Sequence, residues 1–297
     1  MPWNQLTFIT NAEVAEELSD LLHDYGAVAV TLKEGGADEI FEPPVGETPL
    51  WQDTKVVGLF ELDQNIAATI ALLKENLGAT PFPAYKESRV EDQDWERAWL
   101  ADFKPMKFGR NLWIVPSEFE PEDHSAVNIF LDPGLAFGTG THPTTALCLA
   151  WLDEHKTDGQ EVIDYGCGSG VLAIAAAKLG AKSISAVDID PQALVATDSN
   201  AEKNKVPGNI KSYLPEDFPK KAADLLLANI LANPLMDLAE HFTELLKDKG
   251  QIVLSGILEE QAEDVLAVYQ VYYDMQPAEV LNGWVMLRGT KRQALVF

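Results

Sequence analysis

Apolar and polar positions alternate from Trp3 to Thr10, the two-residue period of a strand with one buried face. The period then lengthens. Asn11 is placed to cap a helix whose apolar positions Val14, Leu18, Leu21, Leu22 and Tyr25 share one side. Ala27 to Lys33 and Lys55 to Leu62 read as strands, separated by a loop rich in glycine and proline from Gly35 to Pro49. Gln64 to Leu77 reads as a second helix ending at Gly78, and Tyr85 to Glu91 as a fourth strand. The order βαββαβ predicts a small ferredoxin-like α+β domain over residues 1–92, a kind of domain that usually binds rather than catalyses.

Trp95 and Trp99 lie four apart among charges in Asp92 to Phe103, which predicts a short helix with one apolar face, a helical linker over residues 93–104. Residues 105–297 have a different pattern. Short strands are expected at Leu112 to Val115 and Val127 to Leu131, and strict β-α alternation begins at Glu161. Its strands are Glu161 to Tyr165, Ser183 to Asp188, Ala223 to Ala228 and Gln251 to Ser255. Its helices are Val171 to Lys178, Gln192 to Lys203, Pro234 to Leu246 and Glu259 to Ala267. Short apolar strands with intervening helices predict a parallel, doubly wound sheet with both faces covered. The tail departs from that rhythm, with Val271 to Leu281 and Gly283 to Gly289 read as two strands joined at Asn282-Gly283, a strong hairpin signal.

The chain has 297 residues, 46% of them hydrophobic, which is enough for two cored domains. Its longest apolar runs fall well short of a membrane span. The N-terminus has neither the basic region nor the apolar run of a signal peptide, so the chain is expected to be soluble and cytoplasmic. Two cysteines, Cys148 and Cys167, fit a reducing compartment. Five scattered histidines lack ligand spacing, so no metal is expected. A net charge of −25 argues against a phosphate backbone as partner and favours a basic one. Residues 1–100 hold 19 acidic and 6 basic residues, a density that serves either solubility or the steering of a basic partner.

The most informative stretch is Asp164-Tyr165-Gly166-Cys167-Gly168-Ser169-Gly170, a strand running into a glycine turn that opens a helix. Glycines let a ligand approach the backbone closely, and the helix start presents amides to it. The next strand ends in Asp188, about twenty residues on, where a carboxylate can accept ribose hydroxyls. The apolar strand from Ala223 runs into Asn229-Ile230-Leu231-Ala232-Asn233-Pro234, and strand ends of this kind line the ligand crevice. Asn229 is therefore a candidate for the chemistry; the plainer reading makes it a helix cap before Pro234. A fourth element, Asp132 to Thr145, sets glycines and hydroxyls before a helix, the pattern of a flexible ligand-contacting loop. It lacks the ending of a phosphate-binding P-loop, and His142 next to Pro143 reads more as a capping or packing residue than as a catalyst.

The GxGxG spacing, Asp164 two residues before the turn and the closing hairpin all look like methyltransferases. The PGLAFGTGTHPTT run, the DYGCGSG turn, the AVDID strand end and the NILANPL segment together resemble the ribosomal protein L11 methyltransferase family over nearly the whole chain. That resemblance implies a seven-stranded Rossmann-like methyltransferase domain behind a substrate-recognition domain. It implies S-adenosylmethionine as cofactor, with Thr145, Gly166, Asp188 and Asn229 as contacts, to which Gly168 and Thr141 are added here as candidates. It implies methylation of the N-terminal amine and lysine side chains of ribosomal protein L11 by a chain acting as a monomer, without direct nucleic-acid binding. Asn229 resembles the first residue of the Asn/Asp-Pro-Pro-aromatic motif of amino-directed methyltransferases. Ile230, Leu231 and Ala232 depart from the rest of it, and without the aromatic there is no argument for stacking on a planar target. An NAD-dependent dehydrogenase would share the glycine turn and Asp188 but favours GxGxxG and leaves the Asn229 segment unexplained. A non-catalytic protein with a vestigial fold is the other rival.

Overall fold

The computed structural model describes residues 2–35, 53–90, 104–132, 142–155, 157–219 and 221–293. The chain divides into two compact units, Met1–Ala98 and Trp99–Phe297. The expected linker helix with Trp95 and Trp99, most of the loop after Gly35, and the glycine-rich run 133–141 lie outside the described residues.

The first unit runs β1 (Trp3–Thr10), α1 (Ala12–Asp24), β2 (Ala29–Glu34), β3 (Thr54–Phe60), α2 (Ile66–Asn76), β4 (Ala84–Val90). Asn11 caps α1 as expected, its Oδ1 accepting from the Val14 amide at 3.0 Å, and Asn65 caps α2 in the same way through Ala68 at 3.1 Å. The four strands form an antiparallel sheet in the order β2-β3-β1-β4. Leu6 and Phe8 of β1 and Val56 and Phe60 of β3 share one face, as two-residue spacing requires. They are buried against Leu18 and Leu22 of α1 and Ile66, Ile70 and Leu73 of α2. Each such side chain contributes about 1.5–3 kcal/mol when fully buried, so this one-sided layer holds the unit together.

The second unit opens with a small sheet of β5 (Met106–Phe108), β6 (Leu112–Val115) and β7 (Val127–Phe130). Then follow α3 (Pro143–His155), β8 (Glu161–Tyr165), α4 (Val171–Lys178), β9 (Ser183–Val187), α5 (Pro191–Lys203), β10 (Ile210–Tyr213) and β11 (Ala223–Asn229). The chain continues through α6 (Ala232–Asp237), α7 (Ala239–Glu244), β12 (Leu246–Leu258), α8 (Ala262–Tyr269), β13 (Tyr273–Met275), β14 (Glu279–Leu281) and β15 (Trp284–Lys291). The main sheet is ordered β10-β9-β8-β11-β12-β15-β13, parallel from β10 to β12 and antiparallel at β15. Alternate residues of β11 serve two cores. Leu225 and Leu227 pack with α3 and α4, whereas Leu226 and Ala228 pack with Phe242 of α7 and Val265 and Tyr269 of α8. That is why the strand is a continuous apolar run.

Among the described residues the main sheet has eight strands where seven were expected, β14 pairing with β15 beside the seven-strand path. The segment expected as one strand from Val271 to Leu281 is two short ones, β13 and β14, both paired with β15. Pro277 lies in the gap between them and has no N–H to give to a ladder. The helix expected from Pro234 to Leu246 begins at Ala232 and breaks at Leu238 into α6 and α7. One turn earlier the Tyr269 hydroxyl donates to the Leu235 carbonyl at 2.7 Å, an insertion of the kind that bends helices. Strands β5 and β10 were not expected; each is only three or four residues long, with a lysine at its second position. Among the described residues, no helix is long and apolar enough to cross a membrane.

Candidate functional site

β8 ends at Tyr165, and the chain turns through Gly166 to Gly170 into α4. Gly166, Gly168 and Gly170 have φ of 78°, 53° and 77°, a region that L side chains rarely adopt. Space excludes a side chain at two of them. A Cβ on Gly166 would lie 2.2 Å from Ile230 Cγ2, and one on Gly170 2.8 Å from Thr197 Cγ2 and Oγ1. The turn is pinned from the neighbouring strand and from α5. The Gly166 and Cys167 amides donate to the Val187 carbonyl at 2.7 and 3.1 Å. The Thr197 hydroxyl and the Asn200 amide group donate to the Gly168 and Ser169 carbonyls at 3.1 and 2.9 Å.

Asp188 follows β9 directly, which sets its carboxylate beside this turn. Its Oδ2 accepts from the Gly168 amide at 2.9 Å and its Oδ1 from the Asp190 amide at 3.0 Å. A carboxylate has about four acceptor positions, so two are left for hydroxyl donors of a ligand. Asp164, beneath the turn, is a different carboxylate: only 1% exposed, with Oδ2 accepting from the Ala173 amide at 2.9 Å and Oδ1 without a hydrogen-bond partner. Burial pushes its carboxyl up to about 7, the Ala173 amide opposes that, and the charge of Asp188 adds to it.

Asn229 is the last residue of β11, and its Nδ2 donates to Thr145 Oγ1 at 3.3 Å. It does not cap a helix: the residue before α6 is Leu231. With the amide assigned this way, the acceptor Oδ1 is left for a ligand. Thr145 is fully buried in the first turn of α3. The strand ends therefore bring Gly166, Gly168, Asp188, Asn229 and Thr145 to one edge of the sheet, whereas Thr141 lies outside the described residues. His142 accepts from the Thr144 amide in the first turn of α3, Nδ1 at 3.4 Å, with the same Nδ1 2.7 Å from Thr144 Oγ1 and its ring edge-on to Trp284 at 4.7 Å between centroids. Burial lowers its pKa. Cys148 and Cys167 are buried free thiols, and among the described residues no group of three His, Cys, Asp or Glu is placed to hold a metal ion.

Sequence reasoning passed over Ser255 and Gly256. Ser255 is the register partner of Asn229 on β12, and its hydroxyl donates to the Thr144 carbonyl at 3.2 Å. Gly256, at φ 89°, lies so close to Ile230 that a Cβ would meet the Ile230 carbonyl oxygen at 2.2 Å. A glycine inside an apolar strand is itself a signal of close backbone approach.

Residues 2–292 match the family model described as "Ribosomal protein L11 methyltransferase (PrmA)". The chain belongs to the ribosomal protein L11 methyltransferase family. Relatives carrying that name include proteins from Shewanella sp. (strain ANA-3), 51% identical, and Ectopseudomonas mendocina (strain ymp), 50% identical. Each match takes in 98% of this chain and all of the relative. Among solved structures, a ribosomal protein L11 methylase from Lactobacillus delbrueckii subsp. bulgaricus is 33% identical, with a TM-score of 0.56, over 64% of this chain and all of that one.

A methyltransferase of this family is S-adenosylmethionine-dependent, and the residues present fit that cofactor. Asp188 has acceptor positions to spare for ribose hydroxyls, and the turn glycines leave room at the backbone. Among the described residues Asp188 makes no ion pair, so its charge is available to a cofactor that carries a positive sulfonium.

Proposed function

We propose that this chain methylates ribosomal protein L11 on its N-terminal α-amine and lysine side chains. The observation that carries the reading is Asn229, held by Thr145 at the end of β11 with its acceptor oxygen left for an amine N–H. Bound S-adenosylmethionine supplies a methyl group activated by a sulfonium. The chain's part is positioning, because an in-line displacement at that methyl needs no covalent intermediate on the enzyme. The attacking amine must be neutral, and free α-amino and lysine groups titrate near about 8 and about 10.4. Desolvation in the crevice favours the neutral form. Asn229 Oδ1 then accepts from the amine and aims its lone pair at the methyl group, with Gly166, Gly168, Asp188, Thr145 and Thr141 assigned to cofactor binding.

Residues 105–297 are assigned to catalysis in this reading, residues 93–104 to a helical linker and residues 1–92 to recognition of the substrate. The antiparallel order β4-β1-β3-β2, with both helices packed on one face, supports a ferredoxin-like module there. A cavity of about 590 Å³ bordered by Asn65, Ile66, Ile70, Tyr85 and Glu87 gives that module a concave surface with a carboxylate on it. The enzyme acts in the cytoplasm, as a monomer, on a basic protein rather than on nucleic acid.

The test is incubation of the full chain with methyl-labelled S-adenosylmethionine and purified ribosomal protein L11, read by peptide mass spectrometry. Label is expected on the N-terminal amine and on lysines. Asn229→Ala should lower kcat by on the order of a hundredfold, the usual cost of a misplaced reactant. Label on carboxylates or hydroxyls, or full activity of Asn229→Ala, would contradict the proposal.

A further inference from the structure

β11 lies between β8 and β12 in the sheet, and Ile230 follows Asn229 where β11 ends. Glycines flank it on both sides. Toward β8, a Cβ on Gly166 would lie 2.2 Å from Ile230 Cγ2, so that methyl occupies the space a side chain on the cofactor turn would need. Toward β12, a Cβ on Gly256 would lie 2.2 Å from the Ile230 carbonyl oxygen and 2.7 Å from its carbon, so the backbone of Ile230 lies directly over Gly256. Both glycines have positive φ, 78° and 89°. One residue earlier on each strand, Asn229 and Ser255 are register partners, and fully buried Ser255 ties β12 to the turn of α3 that carries Thr145. The ends of β8 and β11, the interior of β12 and one helix start therefore converge on Asn229-Ile230.

We infer that Ile230 is the positioning residue for Asn229: its Cγ2 methyl, seated against Gly166, sets the direction of the Asn229 side chain relative to the cofactor turn. The inference rests on the proposed amine methylation. A β-branched side chain suits the role because its χ1 has few allowed values, so a methyl on Cβ is held in one direction. Leucine has the same volume but a single γ carbon, with its branch one carbon further out, so it cannot fill both γ positions that isoleucine and valine fill. Ordinary core filling makes the opposite demand, since volume-conserving swaps among apolar residues are tolerated. The two roles therefore separate on leucine against valine.

The experiment uses the full chain with Ile230→Val, Ile230→Leu and Ile230→Ala. Ile230→Val keeps Cγ2, and its kcat should stay within about threefold of the original. Ile230→Leu and Ile230→Ala should lose about 10- to 100-fold in kcat, the scale expected when a reactant is displaced by about an ångström. Their dissociation constant for S-adenosylmethionine, by calorimetry, should move less than about threefold, and the calorimetric stoichiometry counts the folded fraction. The Asn229 side-chain amide signals in NMR, identified by their loss in Asn229→Asp, should shift in the leucine and alanine variants and stay in place in the valine one. Leucine matching isoleucine in kcat, or losses that only follow the folded fraction, would overturn the inference. If the original chain transfers no methyl to amines, the functional reading fails by itself. The amide signals then decide Ile230, and their constancy in Ile230→Leu would remove its role.

Discussion

At the edge where β8, β11 and β12 begin, Glu161 pairs with Lys221 and, at 3.0 Å, with Lys247, which also reaches Asp224 at 2.9 Å. Toward the opposite ends of β8 and β9, Asp164 and Asp188 meet backbone amides instead. The electrostatic outcomes diverge accordingly. Lys221, and then Lys247, pull the Glu161 carboxyl down to about 2, and Asp224 is also lowered, its burial outweighed by the Glu161 amide and Lys247. Asp164 is pushed the other way by burial. One edge has its negative charge neutralised within the fold and so staples three strands; at the other, burial favours a neutral Asp164, and Asp188 makes no ion pair among the described residues. In the proposed reading the site for a cationic cofactor and an amine lies at the second edge, where the glycines also leave room for them.

The largest stability effect that would sharpen this contrast comes from Asp164. Its folded pKa of about 7 lies above the ordinary carboxylate value, so between about pH 4 and 7 the folded chain holds a proton that the unfolded chain has lost. The contribution is fully present below about pH 4 and is lost as pH rises through about 7, at no more than about 1.4 kcal/mol per pH unit. Asp164→Asn removes that dependence. The difference in unfolding free energy between the original chain and Asp164→Asn should therefore fall across this window, as measured by urea unfolding at several pH values. A difference that stays constant from pH 4 to 8 would mean that Asp164 is ionised throughout.

A smaller effect is expected at the stapled edge. Lys247 is 40% exposed, so its two ion pairs are screened, and Lys247→Ala should cost less than about 1 kcal/mol, shrinking further in salt. A larger, salt-insensitive loss would give this edge a role in stability beyond surface pairing.

Much of this was legible in the sequence because it is local. β1, β6, β8 and α4 fall where periodicity placed them, and the spacing of the glycine turn and Asp188 pointed to two residues that the structure brings into hydrogen-bond contact. The apolar run of β11 predicted a strand buried on both sides, which the two cores now explain. What escaped depends on contacts between distant residues. The staple joins Glu161 to Lys221 and Lys247 across 60 or more positions, and no local pattern reports such pairing. Ile230 looked like a mere departure from an aromatic-bearing motif, since its partners Gly166 and Gly256 come from two other strands. Pro277 could have warned that the tail strand divides, but the Asn282-Gly283 hairpin dominated the reading of that segment.

The most direct measurement of the central claim is calorimetric titration of S-adenosylmethionine into the original chain, Asp188→Ala and Glu161→Ala. The two variants remove one carboxylate from each edge of the sheet. Hydrogen bonds to a charged acceptor contribute about 1.5–3 kcal/mol, so Asp188→Ala should weaken binding by roughly 10- to 150-fold. Glu161→Ala should leave the affinity within about twofold. Equal losses in the two variants, or undiminished affinity in Asp188→Ala with a native circular dichroism spectrum, would contradict the assignment of the cofactor to the edge formed by Gly166, Asp188 and Asn229.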